Sequence, residues 1–250
     1  ERFVPRQFLS LLDKQSVLEV QLGDQVEKEM TILFADIRGF TSISEKMTPR
    51  DIFEFLNNYL GQMAPIISEH HGVIDKYIGD AIMALFPNRA DDALRGSIAM
   101  LKTLSNYNNL LHRANLPQIT IGIGLNTGPL MLGTVGGQNR MDGTVISDAV
   151  NIASRVQDLT KVYHTPLLIT EQTYLKLADP LQYHLRVLDV AKVKGKSTVV
   201  TIYEVYDADS AESVILKDQT RDDFEVGFVL YHSGEAQDAR LLFENVLHVH

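Results

Sequence analysis

Apolar residues fall into two alternating rhythms along most of the chain. "MTILFADI" (residues 30–37) is a continuous apolar run closed by an aspartate, the pattern of a strand buried on both faces. "TPRDIFEFLNNYLGQMAPIISEHH" follows, with Ile52, Phe55, Leu56, Tyr59, Leu60 and Met63 on a helical stripe. Thr48 is placed to cap that helix, Pro49 to open its first turn and Gly72 to stop it. "DKYIGDAIMALF" (75–86) then reads as two short strands joined at Gly79-Asp80, with both arms buried. A second helix is expected over about 90–115, and "QITIGIGLNTGPLMLGTVG" supplies further strands. A helix over about 147–162 leads to the strand "TPLLIT". The order predicts an α+β fold with a ferredoxin-like βαββαβ core, to which strands and helices are added.

The flanks have another texture. Residues 1–29 open with the short apolar helix pattern "FVPRQFLSLL" and continue as a polar connector, "GDQVEKE". Residues 208–250 predict a C-terminal helical pair turning at Ser233-Gly234, with the spacing of a tetratricopeptide unit. One such pair cannot bury its own face, so it is expected to dock on the main domain or to continue. The expected units are therefore 1–29, 30–207 and 208–250.

Composition narrows the function classes. The net charge of −9 argues against a nucleic-acid partner held by a diffuse basic surface. With no cysteine, disulfides, thiolate metal sites and cysteine nucleophiles are excluded, and a reducing, cytoplasmic setting is compatible. No apolar run approaches the ~20 residues that span a bilayer. The chain starts with Glu1 rather than methionine, so a piece of a larger protein is expected.

The candidate chemistry rests on carboxylates. Asp36 ends the first strand and Asp80 sits at the hairpin turn, so the plan brings them together despite their separation in sequence. Paired carboxylates repel unless a cation lies between them, and a divalent metal with oxygen ligands meets that need. "IRGFTSISE" follows Asp36: Gly39 permits close backbone approach, and Thr41 or Ser42 opens a short helix whose N–H groups suit phosphate. Asn151 and Arg155 share one helix face, opposite a stripe of Val150, Ala153 and Val156. Lys192, Lys194 and Lys196 alternate beside a glycine, which an exposed hairpin edge explains equally well.

Together "FADIRGFTSISE", "DKYIGDAIMALF", "GIGLNTGPLMLGTVG" and "DAVNIASRV" resemble the catalytic domain of class III nucleotidyl cyclases, most closely the cyanobacterial-type (class IIIb) adenylate cyclases. The resemblance covers residues 30–207 and implies the class III cyclase fold. It implies a homodimeric adenylate cyclase that uses two divalent ions (Mg²⁺ or Mn²⁺) to convert ATP to cyclic AMP and pyrophosphate. By the same resemblance Asp36, Asp80 and the Ile37 carbonyl hold metal, while Gly39, Phe40, Thr41 and Lys194 contact phosphates. Asn151 and Arg155 match the transition-state pair, and Lys76 and Thr144 the base-reading positions. One protomer would supply Asp36 and Asp80, and the other Lys76, Asn151 and Arg155. The N-terminal segment resembles one that often follows a sensor domain, which implies a covalently linked upstream sensor. Threonine at 144 departs from the commoner aspartate, and Gly122 stands where many relatives carry an arginine near the phosphates. A guanylate or mixed-specificity cyclase is disfavoured by Lys76 with Thr144. A silent cyclase-like module is disfavoured because both aspartates and the Asn-Arg pair are present.

Overall fold

The computed structural model describes residues 6–114, 116–137, 140–192 and 199–249. Its centre is the predicted βαββαβ unit: β1 (Gln25–Ile37), α3 (Pro49–Glu69), β2 (Val73–Ile78), β3 (Ala81–Phe86), α4 (Ala90–Arg113) and β4 (Ile121–Gly137). A short helix, α1 (Arg6–Leu11), precedes it, and α2 (Phe40–Ser44) lies between β1 and α3. Beyond β4 come β5 (Arg140–Ile146), α5 (Asp148–Val162), β6 (Leu167–Thr170) and α6 (Glu171–Tyr174). The hairpin β7 (Leu185–Lys192) and β8 (Val199–Val205) follows, then α7 (Ala211–His232) and α8 (Ala236–Val249). The eight strands form one sheet in the order β2-β3-β1-β4-β6-β8-β7, with β5 paired to the distal half of β4.

Strand alternation sorts the sheet's side chains into two cores. Leu33, Ala35 and Ile37 of β1 join Ile82, Ala84 and Phe86 of β3 beneath α3 and α4. Ile32 and Phe34 point the other way, towards Ala149 and Ala153 of α5 and Leu11 and Leu12 of the N-terminal segment. Asp36 follows the even-numbered series and therefore lies on the α5 side. Close approach of α5 needs glycine beneath it. A Cβ on Gly124 would stand 2.3 Å from the Gln157 backbone nitrogen, and one on Gly122 2.2 Å from Thr160 Oγ1.

Two expectations need correction. The polar connector is, from Gln25 onwards, the outer half of β1, pairing with β4 from Gly133 to Pro129. Its alternation of half-buried and exposed positions reflects a projecting ribbon instead of a linker. The hairpin does not bury both arms either: β3 is buried, but β2 is the sheet edge, with Tyr77 and Ile78 about half exposed.

The predicted cap on α3 is present as a reciprocal box, Thr48 Oγ1 accepting from the Asp51 N–H and Asp51 Oδ2 accepting from the Thr48 N–H. The C-terminal helices form an antiparallel pair turning at Ser233-Gly234, with Gly227 against the ring of Phe243. Helix α7 is pinned to the sheet by ion pairs. Glu204 of β8, almost wholly buried, accepts from Arg186 Nε at 2.6 Å and from Lys217 Nζ at 2.5 Å. Arg186 also lies over the Phe224 ring at 4.6 Å. Among the described residues no helix is long and apolar enough to cross a membrane.

Candidate active site

The tight turn between β2 and β3 fixes Asp80. Gly79 takes φ 64°, a conformation that disfavours a side chain, and this lets two residues close the hairpin. Because β1 pairs with β3, the turn folds over the end of β1, and Asp80 Oδ2 accepts from the Ile37 N–H at 3.2 Å. The Asp36 carboxylate is within hydrogen-bonding reach. Burial first, and then the hydrogen bond and charge of Asp36, push Asp80 up to about 6. The pair thus carries an excess of negative charge that the fold cancels only in part.

What cancels part of it is a lysine that the sequence pattern did not single out. Lys161, in the last turn of α5, reaches Asp36 Oδ2 at 3.4 Å. Arg38 stands nearby and is half-buried, its Nη2 donating to the carbonyls of Thr160 at 2.6 Å and Thr165 at 3.1 Å. Burial lowers its pKa and the Asp36 charge opposes that shift. Its Nη2 lies 3.2 Å from where a Cβ on Gly122 would be, so the space above Gly122 is filled by Arg38 and Thr160. The α5 helix end is therefore clamped to the strand end that carries Asp36. Beneath the sheet, the buried Tyr59 hydroxyl has no hydrogen-bond partner among the described residues, and burial, Asp36 and Asp80 all raise its pKa.

Two carboxylates with excess charge, beside the backbone of Ile37, form an all-oxygen donor set that suits Mg²⁺ or Mn²⁺. Among the described residues no group of three His, Cys, Asp or Glu side chains could hold a metal, so any further ligands would come from backbone, water or substrate. Gly39 follows at φ 67° and caps α2 without the side-chain bond expected from Thr41 or Ser42. Phe40 packs on Phe55 with ring centroids 6.3 Å apart, and Thr41 is exposed.

The remaining candidates stand apart from this pair. Asn151 and Arg155 lie one turn apart on α5, while Ala149, Ala153, Val156, Gln157 and Thr160 form its buried face. Asn126 holds the start of that helix, donating from Nδ2 to the Ala149 carbonyl at 3.0 Å. Among the described residues neither the Asn151 nor the Arg155 side chain has a hydrogen-bond or ion-pair partner. Six residues put Arg155 about 120° around the helix and about 9 Å along it from Lys161, so it does not share that lysine's approach to Asp36. Lys76 is on the edge strand β2, and Thr144 is on β5 opposite Gly133. Lys194 lies outside the described residues. The chain therefore joins Asp36, Ile37 and Asp80, and among the described residues no hydrogen bond or ion pair links Lys76, Thr144, Asn151 or Arg155 to them.

Comparison with known proteins gives the family. Residues 22–205 match the family described as adenylate and guanylate cyclase catalytic domain. An adenylate cyclase of Anabaena cylindrica is 47% identical over 211 residues, 82% of this chain and 42% of its own length. A terminal-differentiation-specific adenylate cyclase of Dictyostelium discoideum is 38% identical over 97% of this chain, which corresponds to 12% of that protein. The chain thus spans less than half the length of either relative. Among solved structures, the adenylyl cyclase CyaB from P. aeruginosa superposes with a TM-score of 0.65 at 33% identity, covering 72% of this chain and 95% of that one. The chain belongs to the adenylate and guanylate cyclase catalytic-domain family, the class III nucleotidyl cyclases.

Proposed function

We propose that this chain is an adenylate cyclase that converts ATP to 3′,5′-cyclic AMP and pyrophosphate at two equivalent sites shared across a homodimer. The observation that carries the reading is the split just described. The carboxylate pair gathers at the end of β1, while among the described residues the side chains of Asn151 and Arg155, off the buried face of α5, have no partner. An antiparallel dimer would bring the two halves together, each protomer giving what the other lacks. The exposed Tyr77 and Ile78 on the edge strand are the kind of apolar surface that such a contact would cover.

Asp36, Asp80 and the Ile37 carbonyl would hold two divalent ions. When bound, these ions would neutralise the triphosphate and lower the pKa of the ribose 3′-hydroxyl. The chain's own groups do the rest. The backbone around Gly39, Phe40 and Thr41, with Lys194, holds the terminal phosphates. Asn151 of the second protomer orients the ribose. Arg155 donates to the α-phosphoryl oxygens, where negative charge grows as the 3′-oxygen attacks phosphorus and pyrophosphate leaves. Lys76 donates to adenine N1, and Thr144 accepts from the exocyclic amine. Against guanine, Lys76 would set a donor against the N1–H, so ATP is favoured over GTP.

The relatives' greater length is consistent with an upstream sensory segment, and residues 30–207 would be the catalytic unit that such a segment controls. Complementation tests the reading. Asp36→Ala and Arg155→Ala chains are each expected to be inactive, and their mixture to regain one good site per heterodimer. A mixture that stays inactive while both variants dimerise would overturn the shared-site reading.

A further inference from the structure

Asp75 is a buried carboxylate that the proposed mechanism leaves unused. It sits where β2 breaks its regular pairing with β3: Ile74 opposes Ala84 and Lys76 opposes Met83, which leaves Asp75 as an extra residue without a partner. In a regular strand, neighbouring side chains point to opposite faces. A bulge breaks that alternation. Here it brings Asp75 Oδ2 to 3.3 Å from Lys76 Nζ.

The two ends of this pair differ sharply in exposure. The Asp75 side chain is 2% exposed and that of Lys76 40%. Among the described residues Asp75 Oδ2 accepts no hydrogen bond, and Lys76 is its only ion-pair partner. Burying a carboxylate with one flexible, half-exposed partner is a poor way to stabilise an edge strand, because desolvation exceeds the attraction that a solvated ammonium returns. An isoleucine or valine would pack there at lower cost. A carboxylate in that place makes sense if its task is to fix the ammonium. The carboxylate holds the ammonium by charge from one side, which leaves N–H groups on the other side for a ligand.

We propose that Asp75 is a positioning residue for base selection: held under the strand by the β2 bulge, it fixes the Lys76 ammonium so that its free N–H groups meet the adenine ring and oppose guanine. The inference rests on the reading of Lys76 as the base contact. Burial raises the Asp75 pKa and Lys76 opposes the shift, as a pair held at the limit of its desolvation would show.

The test is steady-state kinetics of the whole chain with ATP and with GTP, for the wild type, Asp75→Asn, Lys76→Ala and the double variant. Asp75→Asn is expected to raise KM for ATP about tenfold, the scale of one charged hydrogen bond. Its kcat should move less than about threefold, and the ATP-to-GTP ratio of kcat/KM should fall about tenfold. In the Lys76→Ala background the same change should add less than about twofold, because the ammonium it positions is gone. The thermal midpoint should hold or rise, since an unsatisfied buried charge is removed. An equal loss for both nucleotides, or the same loss with and without Lys76, would assign Asp75 to hairpin structure alone and overturn the proposal. If Asp75→Asn does not fold, Asp75→Glu keeps the charge but shifts it by one methylene, and an unaltered ATP-to-GTP ratio in that variant overturns the proposal equally. A Lys76→Ala chain that keeps its nucleotide preference would instead remove the base-contact reading on which the inference rests. A preference lost in Lys76→Ala but intact in Asp75→Asn removes only the role of Asp75.

Discussion

Two carboxylate clusters in this fold are built on opposite principles. Glu204 is the more deeply buried, yet Arg186, Lys217 and the Thr165 hydroxyl all meet its oxygens, and Lys217 is shared with Asp209 at 2.7 Å. Asp36 and Asp80 are less buried, yet they face each other with one half-exposed lysine in direct contact and Arg38 nearby, its guanidinium turned to backbone carbonyls. Burial raises both Glu204 and Asp80, but the net shift is downward for Glu204, where two cations prevail, and upward for Asp80. The first cluster is complete and serves architecture, locking α7 to the sheet. The second is left incomplete, and a charge deficit held in place by backbone geometry is what a cation site requires.

Removing one member of each cluster should separate these roles most widely. Asp80→Ala is expected to lower turnover on the order of 10³-fold or more, since several kcal/mol of transition-state stabilisation would be lost. The apo protein should remain folded or gain stability, because a like-charge contact is relieved. Glu204→Ala should do the reverse. Leaving Arg186 and Lys217 without their buried partner costs about 3–5 kcal/mol, a fall in melting temperature on the order of 10 °C. Cyclic AMP formation assayed well below that transition should persist. Scanning calorimetry beside product chromatography reads both outcomes, and a folded, fully active Asp80→Ala chain would break the comparison.

Lys161 offers a finer test. Its ammonium sits on Asp36 Oδ2, so a divalent ion arriving there would compete with it for that oxygen. Lys161→Met should therefore tighten Mn²⁺ binding severalfold in titration calorimetry, while apo stability near neutral pH falls slightly. Metal should raise the melting temperature of both wild type and Lys161→Met, but not that of Asp80→Ala. Unchanged or weaker Mn²⁺ binding in Lys161→Met would mean that the lysine supports the loaded site instead of standing in for it.

How much of this was legible in the sequence depends on the range of the interaction. The βαββαβ order, the Thr48 cap and the Gly79-Asp80 turn are set by residues close in the chain, and their patterns predicted them. The joining of Asp36 to Asp80 followed once strand order was assumed. Lys161 and Arg38 were not legible, because each acts across more than a hundred residues and no spacing rule marks the end of α5 as a neighbour of β1. The outer half of β1 was missed because an edge strand open to water on a projecting ribbon tolerates charged residues at most positions. The bulge at Asp75 was hidden too, since one inserted residue leaves the apolar pattern on either side intact.

The smallest expected effect is a difference in the sign of a pH dependence. Without metal, Asp80 in the folded chain titrates at about 6, above the ordinary carboxylate value of 3.8. Its contribution to stability is then fully present below the unfolded pKa and is lost as pH rises through 6, because the folded state holds its proton more tightly. Glu204 is shifted down from 4.5, so its contribution is present above the unfolded pKa and is lost only as pH falls through the lower folded value. Between about pH 5 and 7 only the first of these two terms changes. In chelator, the melting temperature of wild type relative to Asp80→Asn should therefore rise as pH is lowered from 7 to 5. With saturating Mg²⁺ the relative trend should reverse, because a bound cation favours the ionised carboxylate and competes with its proton. A trend that kept the same sign with and without Mg²⁺ would mean that the Asp36–Asp80 deficit is not where the cation acts. Asp80 would then be a turn residue alone, and the contrast with Glu204 would lie in the degree of burial instead of in function.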